Sequence, residues 1–248
     1  MALNNKYSIQ ELVLNYSHFW YFLIMKSINK FKNMSKIDII NAENVYHLKT
    51  DPSRISKLIY HYEIYKKIIS LPGDIIECGV FKGISLTRFL TFREILENYN
   101  SRKIYGFDVF GKFPKAKNIN DKSFLKKWEK SAGDGINVKE LNDILLDKKF
   151  SNFELVKGNV KKTIPLLLKK EPHLRISLLH LDMDTYEPTK FTLNKLFPYI
   201  VKGGIVLLDD YNAVYGATKA VDEFINLNKV LEIKKLNYYK LPAYIIKV

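Results

Sequence analysis

Three aspartates in the C-terminal third of the chain have the types and spacing that could do chemistry. Asp182 follows the apolar segment 176–181, and Asp209 and Asp210 follow the apolar segment 205–208. In an open α/β sheet the carboxyl ends of the strands face a ligand site, so two adjacent parallel strands would bring these carboxylates together. Several oxygen ligands at one point are typical of a hard divalent cation. The pattern predicts a Mg²⁺ site at Asp182, Asp209 and Asp210.

A second motif, further upstream, combines a strand, a turn with two glycines and a helix. The strand candidate 74–78 contains Glu77, and Gly79 and Gly83 follow it. Their Gly-x-x-x-Gly spacing matches neither the dinucleotide fingerprint nor a P-loop. The carboxylate of Glu77 would repel a pyrophosphate and attract an ammonium group. The motif therefore favours S-adenosylmethionine, which carries an ammonium and a ribose but no phosphate, over NAD or ATP.

An acid at the end of the next strand candidate supports this interpretation. Residues 103–108 end in Asp108, and an acid at this point of a nucleotide-binding sheet commonly binds the ribose hydroxyls. The alternative is a helix cap or a solvated loop acid. In combination with Glu77, we favour the ribose role.

The composition bounds the class of protein. The chain has 248 residues, of which 47% are hydrophobic, enough for one sizeable core. Its single cysteine excludes an internal disulfide framework and predicts a reducing compartment. Cys78 lies within a strand candidate, where we expect a small buried hydrophobe. No signal peptide or membrane span is evident, so a cytoplasmic location is expected.

The formal net charge is +14, with lysines concentrated in segments 112–130 and 157–170. Such a surface favours nucleic acid, anionic lipid or a phosphorylated substrate, while general solubility explains it equally well. No RNA-recognition motif, zinc finger or helix-turn-helix signature is present. A small-molecule or glycan acceptor is expected rather than nucleic acid, and an anionic acceptor is one of the alternatives.

Alternation of strand and helix patterns predicts an α/β fold with a doubly wound, mostly parallel sheet. The tail has mixed polarity and predicts an antiparallel hairpin from segments 231–236 and 243–248. The predicted strands are 74–78, 103–108, 153–157, 175–182 and 204–209, and the predicted helices are 51–70, 84–98, 138–148, 160–170, 187–199 and 216–228.

Two segments fall outside this alternation. Residues 1–70 are expected to be a helical extension before a domain of residues 71–248. Within the extension, the aromatic pattern of residues 8–33 predicts a buried helix, and a homo-oligomer contact is a close alternative. Residues 109–136 form a long insertion after a ligand-binding strand end, with a short helix expected around 121–130. Such an insertion is more often an active-site lid than a passive loop.

Four segments resemble the macrocin O-methyltransferase family: 77–83, 107–114, 180–186 and 209–211. The resemblance implies a Rossmann-like class I methyltransferase fold. It also implies methylation of a sugar hydroxyl on a natural product, dependent on S-adenosylmethionine and Mg²⁺. Carried over by position, it assigns the metal to Asp182, Asp209 and Asp210. It assigns the cofactor to Glu77, Gly79, Val80, Phe81, Gly83, Ser85, Asp108, Gly158 and Asn159.

The expected mechanism is proton removal from a metal-bound hydroxyl held in line with the methyl group. Asp184, or Asp182 itself, would accept the proton, although Asp184 could instead cap the following helix. His180 shares a strand face with Asp182, and a satisfied core histidine is the favoured interpretation. Two other functions stay open: a nucleic-acid methyltransferase with the same cofactor, and a non-catalytic binding protein on this fold.

Overall fold

The computed structural model describes residues 34–116, 118–238 and 241–248. The helix predicted over 8–33, and the oligomer contact inferred from it, lie outside these residues. The helices are α1 Lys36–Lys49, α2 Pro52–Ile68, α3 Ile84–Leu96, α4 Ile119–Ala132, α5 Val138–Asp147, α6 Val160–Lys170, α7 Tyr186–Leu196 and α8 Tyr215–Leu227. The strands are β1 Asp74–Cys78, β2 Ile104–Asp108, β3 Phe153–Lys157, β4 Ile176–Leu181, β5 Ile200–Leu208, β6 Ile233–Lys234 and β7 Ala243–Ile246.

The seven strands form one sheet in the order β3-β2-β1-β4-β5-β7-β6. Strands β1 to β5 are parallel, and β7 runs antiparallel to both β5 and β6. Chain order reverses between β1 and β4, which are neighbours in the sheet. The carboxyl ends of β1, β2, β4 and β5 therefore meet at one edge, where such sheets bind ligands.

Helices cover both faces of the sheet, which explains why its central strands are mostly apolar. Helices α6, α7 and α8 pack on one face, with Ile164, Leu193 and Phe224 in the core. Helices α2, α3 and α5 pack on the other face and bury Ile64 and Phe89. The doubly wound sheet and the closing antiparallel pair confirm the predicted fold class.

Two departures from expectation are larger than the shifts at the other element ends. Strand β5 begins at Ile200, four residues before the predicted start, because the segment continues extended through Gly203 and Gly204. Helix α1 was not predicted, although Ser35 and Asp38 form a capping box at its start. The domain boundary proposed at residue 70 stays a prediction.

Other sequence expectations concern burial. Cys78 is fully buried, and burial raises the pKa of its thiol, as expected for a packing residue. Among the described residues, no helix is long and apolar enough to cross a bilayer.

Two backbone hydrogen bonds fix the ends of the insertion after β2, residues 109–136. The N–H of Gly135 donates to the carbonyl of Gly111 at 3.0 Å, and that of Ile136 donates to the carbonyl of Phe81 at 2.8 Å. Helix α4, which extends the predicted short helix at both ends, lies between these anchors. The insertion is therefore held next to the turn after β1.

Candidate active site

A cavity of about 650 Å³ opens at the carboxyl edge of the sheet. Its walls come from the loops after β1, β2, β3, β4 and β5, from helices α2 and α3, and from the insertion that contains α4. Most of the sequence-predicted site residues line this one cavity. They are Gly79, Val80, Phe81, Ser85, Asp108, Gly158, Asn159, Asp182, Asp184, Asp209 and Asp210.

The structure brings Asp182 and Asp210 together with Asp184, whereas Asp209, the third predicted metal ligand, is grouped with His61 and His180. Asp182, Asp184 and Asp210 can each direct one carboxylate oxygen to within 4.8 Å of the others. Asp209 joins them through the ammonium of Lys57, whose Nζ lies 2.6 Å from Asp209 Oδ2 and 4.0 Å from Asp182 Oδ2. The four carboxylates and this lysine are called the acidic cluster below.

The charges in the acidic cluster shift one another's protonation. Burial raises the pKa of Asp182 and Asp210, and the neighbouring carboxylates raise it further. Burial and the charge of Asp182 raise the pKa of Asp184 to about 8. Burial opposes ionisation of Asp209 as well, yet Lys57 and His180 hold its pKa below the usual range. Once ionised, the four carboxylates would hold more negative charge than Lys57 can balance, and their oxygen donors fit a hard divalent cation.

Asp184 does not cap the following helix, so that alternative is wrong. The N-cap residue of α7 is Thr185, which makes no side-chain capping bond. Asp184 instead has a positive φ of 60° and donates its own N–H to Asp210 Oδ2 at 2.9 Å. Its side chain lines the cavity beside Asp210.

Two buried histidines lie beneath the acidic cluster. His180 Nε2 is 3.6 Å and His61 Nε2 is 3.9 Å from Asp209 Oδ1, and His180 Nδ1 is 3.7 Å from Glu77 Oε2. These separations are too long for hydrogen bonds. Among the residues that the structure describes, neither ring nitrogen of His180 has a hydrogen-bond partner. His180 is thus buried, as expected, but it is not a satisfied core histidine.

The two histidines differ in charge. Burial lowers the pKa of His180, but the carboxylates of Asp209 and Glu77 outweigh burial and raise it to about 10. Burial lowers the pKa of His61 to about 3. His180 is therefore an imidazolium between two carboxylates, and His61 is neutral.

Glu77 was predicted to line the cofactor site, but the structure places it behind the cavity wall. It is fully buried and is not a lining residue of the cavity, and neither is Gly83. The hydroxyl of Ser85 donates to Glu77 Oε1 at 2.6 Å and lies between that carboxylate and the cavity. An ammonium group in the cavity would contact Ser85, and the carboxylate of Glu77 behind Ser85 would attract it.

Asp108 uses its carboxylate to shape the loop after β1, residues 79–83, which is called the cofactor loop below. Oδ2 accepts the N–H of Phe81 at 2.9 Å, and Oδ1 accepts the N–H of Phe110 at 2.6 Å. Each carboxylate oxygen has two acceptor positions, so both oxygens remain able to accept from a ligand hydroxyl. The predicted ribose role is compatible with this geometry and stays a prediction.

The loops at this edge share an uncommon backbone conformation. Non-glycine residues with positive φ follow four strands: Phe81 (50°), Phe110 (52°), Asp184 (60°) and Asn212 (67°). Such conformations cost free energy and persist where the surrounding structure enforces them. These four are called the left-handed positions below.

The cofactor loop is in direct backbone contact with the loop after β4, residues 182–185, which is called the metal loop below. The N–H of Asp182 donates to the carbonyl of Cys78 at 2.9 Å. Gly79 has φ +97°, and a Cβ there would lie 1.7 Å from the carbonyl oxygen of Asp182. A glycine is therefore required where the two loops meet.

Helix α4 is fixed to the site by Asp121, which is buried. Its Oδ2 accepts the N–H of Tyr186 at 3.0 Å and also accepts from Asn118 Nδ2 at 2.6 Å. The carboxylate of Asp121 thus caps the N-terminus of α7 from another helix. On the cavity side, Trp128 stands 5.9 Å from the ring of Phe81, measured between centroids.

Sequence reasoning missed the residues that α2 and α3 contribute. Arg54, Lys57 and Arg88 line the cavity, and His61 lies beneath it. Arg54, Lys57 and His61 are spaced i, i+3 and i+7, which places them on one helix face. This row of polar side chains on one face of a helix that packs against the sheet is the sequence feature that could have indicated a role in the site.

The sheet order, the glycine turn after β1 and the acid after β2 define a class I S-adenosylmethionine-dependent methyltransferase. Residues 54–238 match the family described as Macrocin-O-methyltransferase (TylF). This chain belongs to that family, which confirms the resemblance of its four motifs.

Individual relatives agree with this assignment. Demethyldecarbamoylnovobiocin O-methyltransferase of Streptomyces niveus is 26% identical over 164 residues, which cover 62% of this chain and 59% of that protein. A second relative, from Streptomyces olivaceus, is 8-demethyl-8-(2,3-dimethoxy-alpha-L-rhamnosyl)-tetracenomycin-C 4'-O-methyltransferase. It is 27% identical over 196 residues, which cover 73% of this chain and 68% of that protein. The crystal structure of a calicheamicin methyltransferase aligns with a TM-score of 0.69 at 25% identity, covering 97% of this chain and 93% of that one.

Proposed function

We propose that this enzyme transfers the methyl group of S-adenosylmethionine to a hydroxyl of a sugar, free as a nucleotide sugar or attached to a natural product. The proposal includes a divalent cation, Mg²⁺, at Asp182, Asp209 and Asp210. The observation that carries it is the backbone contact between the cofactor loop and the metal loop. Because Gly79 and Asp182 touch, a methyl donor on one loop and a hydroxyl on the other would share the cavity.

The names of relatives support a sugar acceptor. The Streptomyces olivaceus enzyme is named for a rhamnosyl-bearing substrate. An apo structure of the calicheamicin enzyme, 26% identical to this chain, is described as that of a TDP-rhamnose 3'-O-methyltransferase. These two acceptors differ in charge, since one carries a diphosphate. An acceptor screen for this chain should therefore include both nucleotide sugars and glycosylated products.

A bound divalent cation would supply positive charge that makes a coordinated hydroxyl more acidic. Asp182, Asp209 and Asp210 would hold that charge, and Lys57 would move aside from Asp209. Asp184 would accept the hydroxyl proton on its carboxylate. Its carboxylate lines the cavity, with one oxygen within 4.8 Å of an oxygen of Asp182 and of Asp210, close to the proposed ion.

The remaining residues hold the methyl donor. Asn159 and Gly158 border the cavity at the end of β3, where they would contact the adenine, and Asp108 would accept from the ribose hydroxyls. Ser85, backed by Glu77, would accept from the ammonium group. The transferred methyl leaves sulfur as the C–O bond forms, so the products are a methyl ether and S-adenosylhomocysteine.

Titration calorimetry with S-adenosylhomocysteine and with NAD⁺, each with and without Mg²⁺, tests the proposal first. Saturable binding of S-adenosylhomocysteine but not NAD⁺ is expected. Asp182→Asn, Asp209→Asn and Asp210→Asn should each lose Mg²⁺ binding, whereas Asp147→Asn, at the exposed end of α5, should keep it. Absence of S-adenosylhomocysteine binding under both conditions would sink the proposal.

Location and assembly stay predictions. The cytoplasmic location rests on the single cysteine of the sequence. The homo-oligomer rests on residues 8–33.

A further inference from the structure

Four aromatic side chains lie next to one another in the wall of the cavity. They come from the cofactor loop and from the insertion after β2: Phe81, Phe113, Phe124 and Trp128. The ring centroid of Phe81 is 6.1 Å from that of Phe113 and 5.9 Å from that of Trp128. The rings of Trp128 and Phe124 are 6.1 Å apart, with 13° between their planes. These four residues are called the aromatic wall below.

The aromatic wall is separate from the core of the fold. None of its four residues belongs to either hydrophobic cluster that packs on the sheet. All four are half-buried, whereas Phe89 and Phe107, which do belong to these clusters, are fully buried. On α4, Phe124 and Trp128 are spaced i and i+4, on the face that lines the cavity. Packing of the core therefore does not explain these rings.

Helix α4 places the aromatic wall within reach of the acidic cluster. In its first turn, Asp121 accepts the N–H of Tyr186, which directly follows the metal loop. Trp128 lies seven residues further, about 10 Å along the helix axis, and there it faces Phe81 of the cofactor loop. A sugar with one hydroxyl at the acidic cluster would therefore have the aromatic wall beside it, where a group attached to the sugar would lie.

The chemistry of the aromatic wall identifies the kind of group that it binds. Half-buried rings expose apolar surface in an empty cavity, and a ligand that covers this surface is stabilised. Aromatic faces favour planar rings, which stack on them whatever hydrogen-bonding groups the ring carries. In the proposed function the adenine of the cofactor lies at Gly158 and Asn159, so the aromatic wall is left for the acceptor.

We propose that the aromatic wall is an acceptor subsite, which stacks a planar ring attached to the sugar that is methylated. This inference rests on the proposed function for the positions of the sugar and of the cofactor. The planar ring has two sources: the base of a nucleotide sugar, or an aromatic group of a glycosylated natural product.

The test uses pairs of probes that differ in one planar ring. Rhamnose and glucose are each offered as the methyl glycoside and the phenyl glycoside. Each is also offered as the sugar 1-phosphate and the thymidine diphosphate sugar. Calorimetry measures the affinity of every probe for the wild type and the variants, with S-adenosylhomocysteine and Mg²⁺ saturating. Thermal unfolding confirms that each variant folds.

In one type of pair, the probe with the ring should bind the wild type about 5- to 100-fold more tightly than its partner, the range for one stacked ring. Trp128→Leu and Phe113→Leu should remove this preference and leave the ring-free probe unchanged. Trp128→Phe keeps a ring and should retain most of the preference. Tyr99→Leu removes an exposed ring in the turn between α3 and β2 and is the matched control, which should change nothing.

The type of pair that shows the effect identifies the source of the ring. A preference for the phenyl glycosides that is lost in Trp128→Leu assigns the subsite to an aromatic group of the acceptor. A preference for the thymidine diphosphate sugars that is lost in the same variant assigns the subsite to a nucleotide base.

Four results would overturn the inference. The first is an unchanged preference in Trp128→Leu, and the second is an equal loss for probes with and without a ring, which would mean that the wall binds the sugar itself. The third is weakened S-adenosylhomocysteine binding in Trp128→Leu, which would mean that the wall binds the cofactor. The fourth is a wild type that binds S-adenosylhomocysteine and none of the probes. A wild type that binds no S-adenosylhomocysteine would instead overturn the proposed function, so the two failures are distinct.

Discussion

Lys57 donates from Nζ to Asp209 Oδ2 at 2.6 Å. Lys57 lies on a helix that precedes the sheet in the chain, and its ammonium lies among the carboxylates at the carboxyl edge of the sheet. Burial lowers the pKa of Lys57, but Asp209 and Asp182 raise it above the usual value, so the side chain is charged. This internal cation stands where the proposed metal ion would bind. It must therefore stabilise the acidic cluster when no ion is bound and compete with the ion when one is.

Lys57→Met tests this competition. Without divalent cations, the variant should melt at a lower temperature, because the carboxylates lose the ammonium that balances them. Its Mg²⁺ affinity should rise several-fold. Lys66→Met, on the same helix but in an exposed ion pair with Glu63 at 3.2 Å, is the matched control and should change neither quantity. Unchanged melting and unchanged Mg²⁺ affinity in Lys57→Met would contradict the competition.

The protonation of the site predicts how stability depends on pH. Asp184, with its pKa raised to about 8, and His180, with its pKa raised to about 10, keep protons in the folded state that the unfolded chain loses at lower pH. The folded state therefore binds more protons than the unfolded state between about pH 6.5 and pH 8, and stability falls as pH rises. Melting temperatures measured across this window without divalent cations should decrease.

Mg²⁺ should reverse that decrease, because the ion binds ionised carboxylates and releases their protons. Its affinity should consequently rise with pH over the same window. Asp184→Asn should flatten part of the pH dependence in the absence of the ion. A flat melting profile in the wild type would show that these groups do not titrate in this window.

The hydrogen bond between Asp121 and the N-terminus of α7 predicts that this residue holds α4 against the site. Asp121→Ala removes the carboxylate that caps α7 and should cost about 1–2 kcal/mol, the usual value for a lost helix cap. Hydrogen exchange should increase in residues 119–132 and also in the first turn of α7. Asn137→Ala, which removes the side-chain cap of α5, should increase exchange in α5 alone. Exchange in α4 that matches the wild type would mean that other contacts hold this helix.

The close contact at Gly79 predicts that no side chain can be tolerated between the cofactor loop and the metal loop. Gly79→Ala would place a Cβ 1.7 Å from the carbonyl oxygen of Asp182, so the cofactor loop and the metal loop must separate. We expect a large loss of stability and of S-adenosylhomocysteine binding. Gly133→Ala also has a positive φ, of 69°, but meets nothing within 4 Å. This control has the strained backbone angles without the steric contact, and it should cost about 1–3 kcal/mol. Equal effects of the two substitutions would show that the contact with Asp182 is unimportant.

Most of the fold was predictable because its signals are local. Strands such as β4 and β5 are apolar runs that stop at carboxylates, and the turn after β1 has the glycines that its geometry needs. Helix α1 was missed although Ser35 and Asp38 carry a capping signal, because its residues are mostly exposed and show no apolar face.

The site was predictable only where its residues belong to strand-end motifs. Lys57, His61 and Arg88 come from helices, and their place depends on how α2 and α3 pack against the sheet. Their sequence distance from Asp209 hides the contact. Glu77 illustrates the converse: its motif was recognised, but its burial behind Ser85 depends on side-chain packing that the motif does not contain.

The left-handed positions have a consequence for heat inactivation. Phe81, Phe110, Asp184 and Asn212 are each held in a conformation that costs on the order of 1 kcal/mol or more, and the sheet beneath them enforces it. On heating, these loops can relax to ordinary backbone angles while the strands remain paired. Activity should therefore disappear at a lower temperature than the helical circular dichroism signal, and cooling before the sheet melts should restore it.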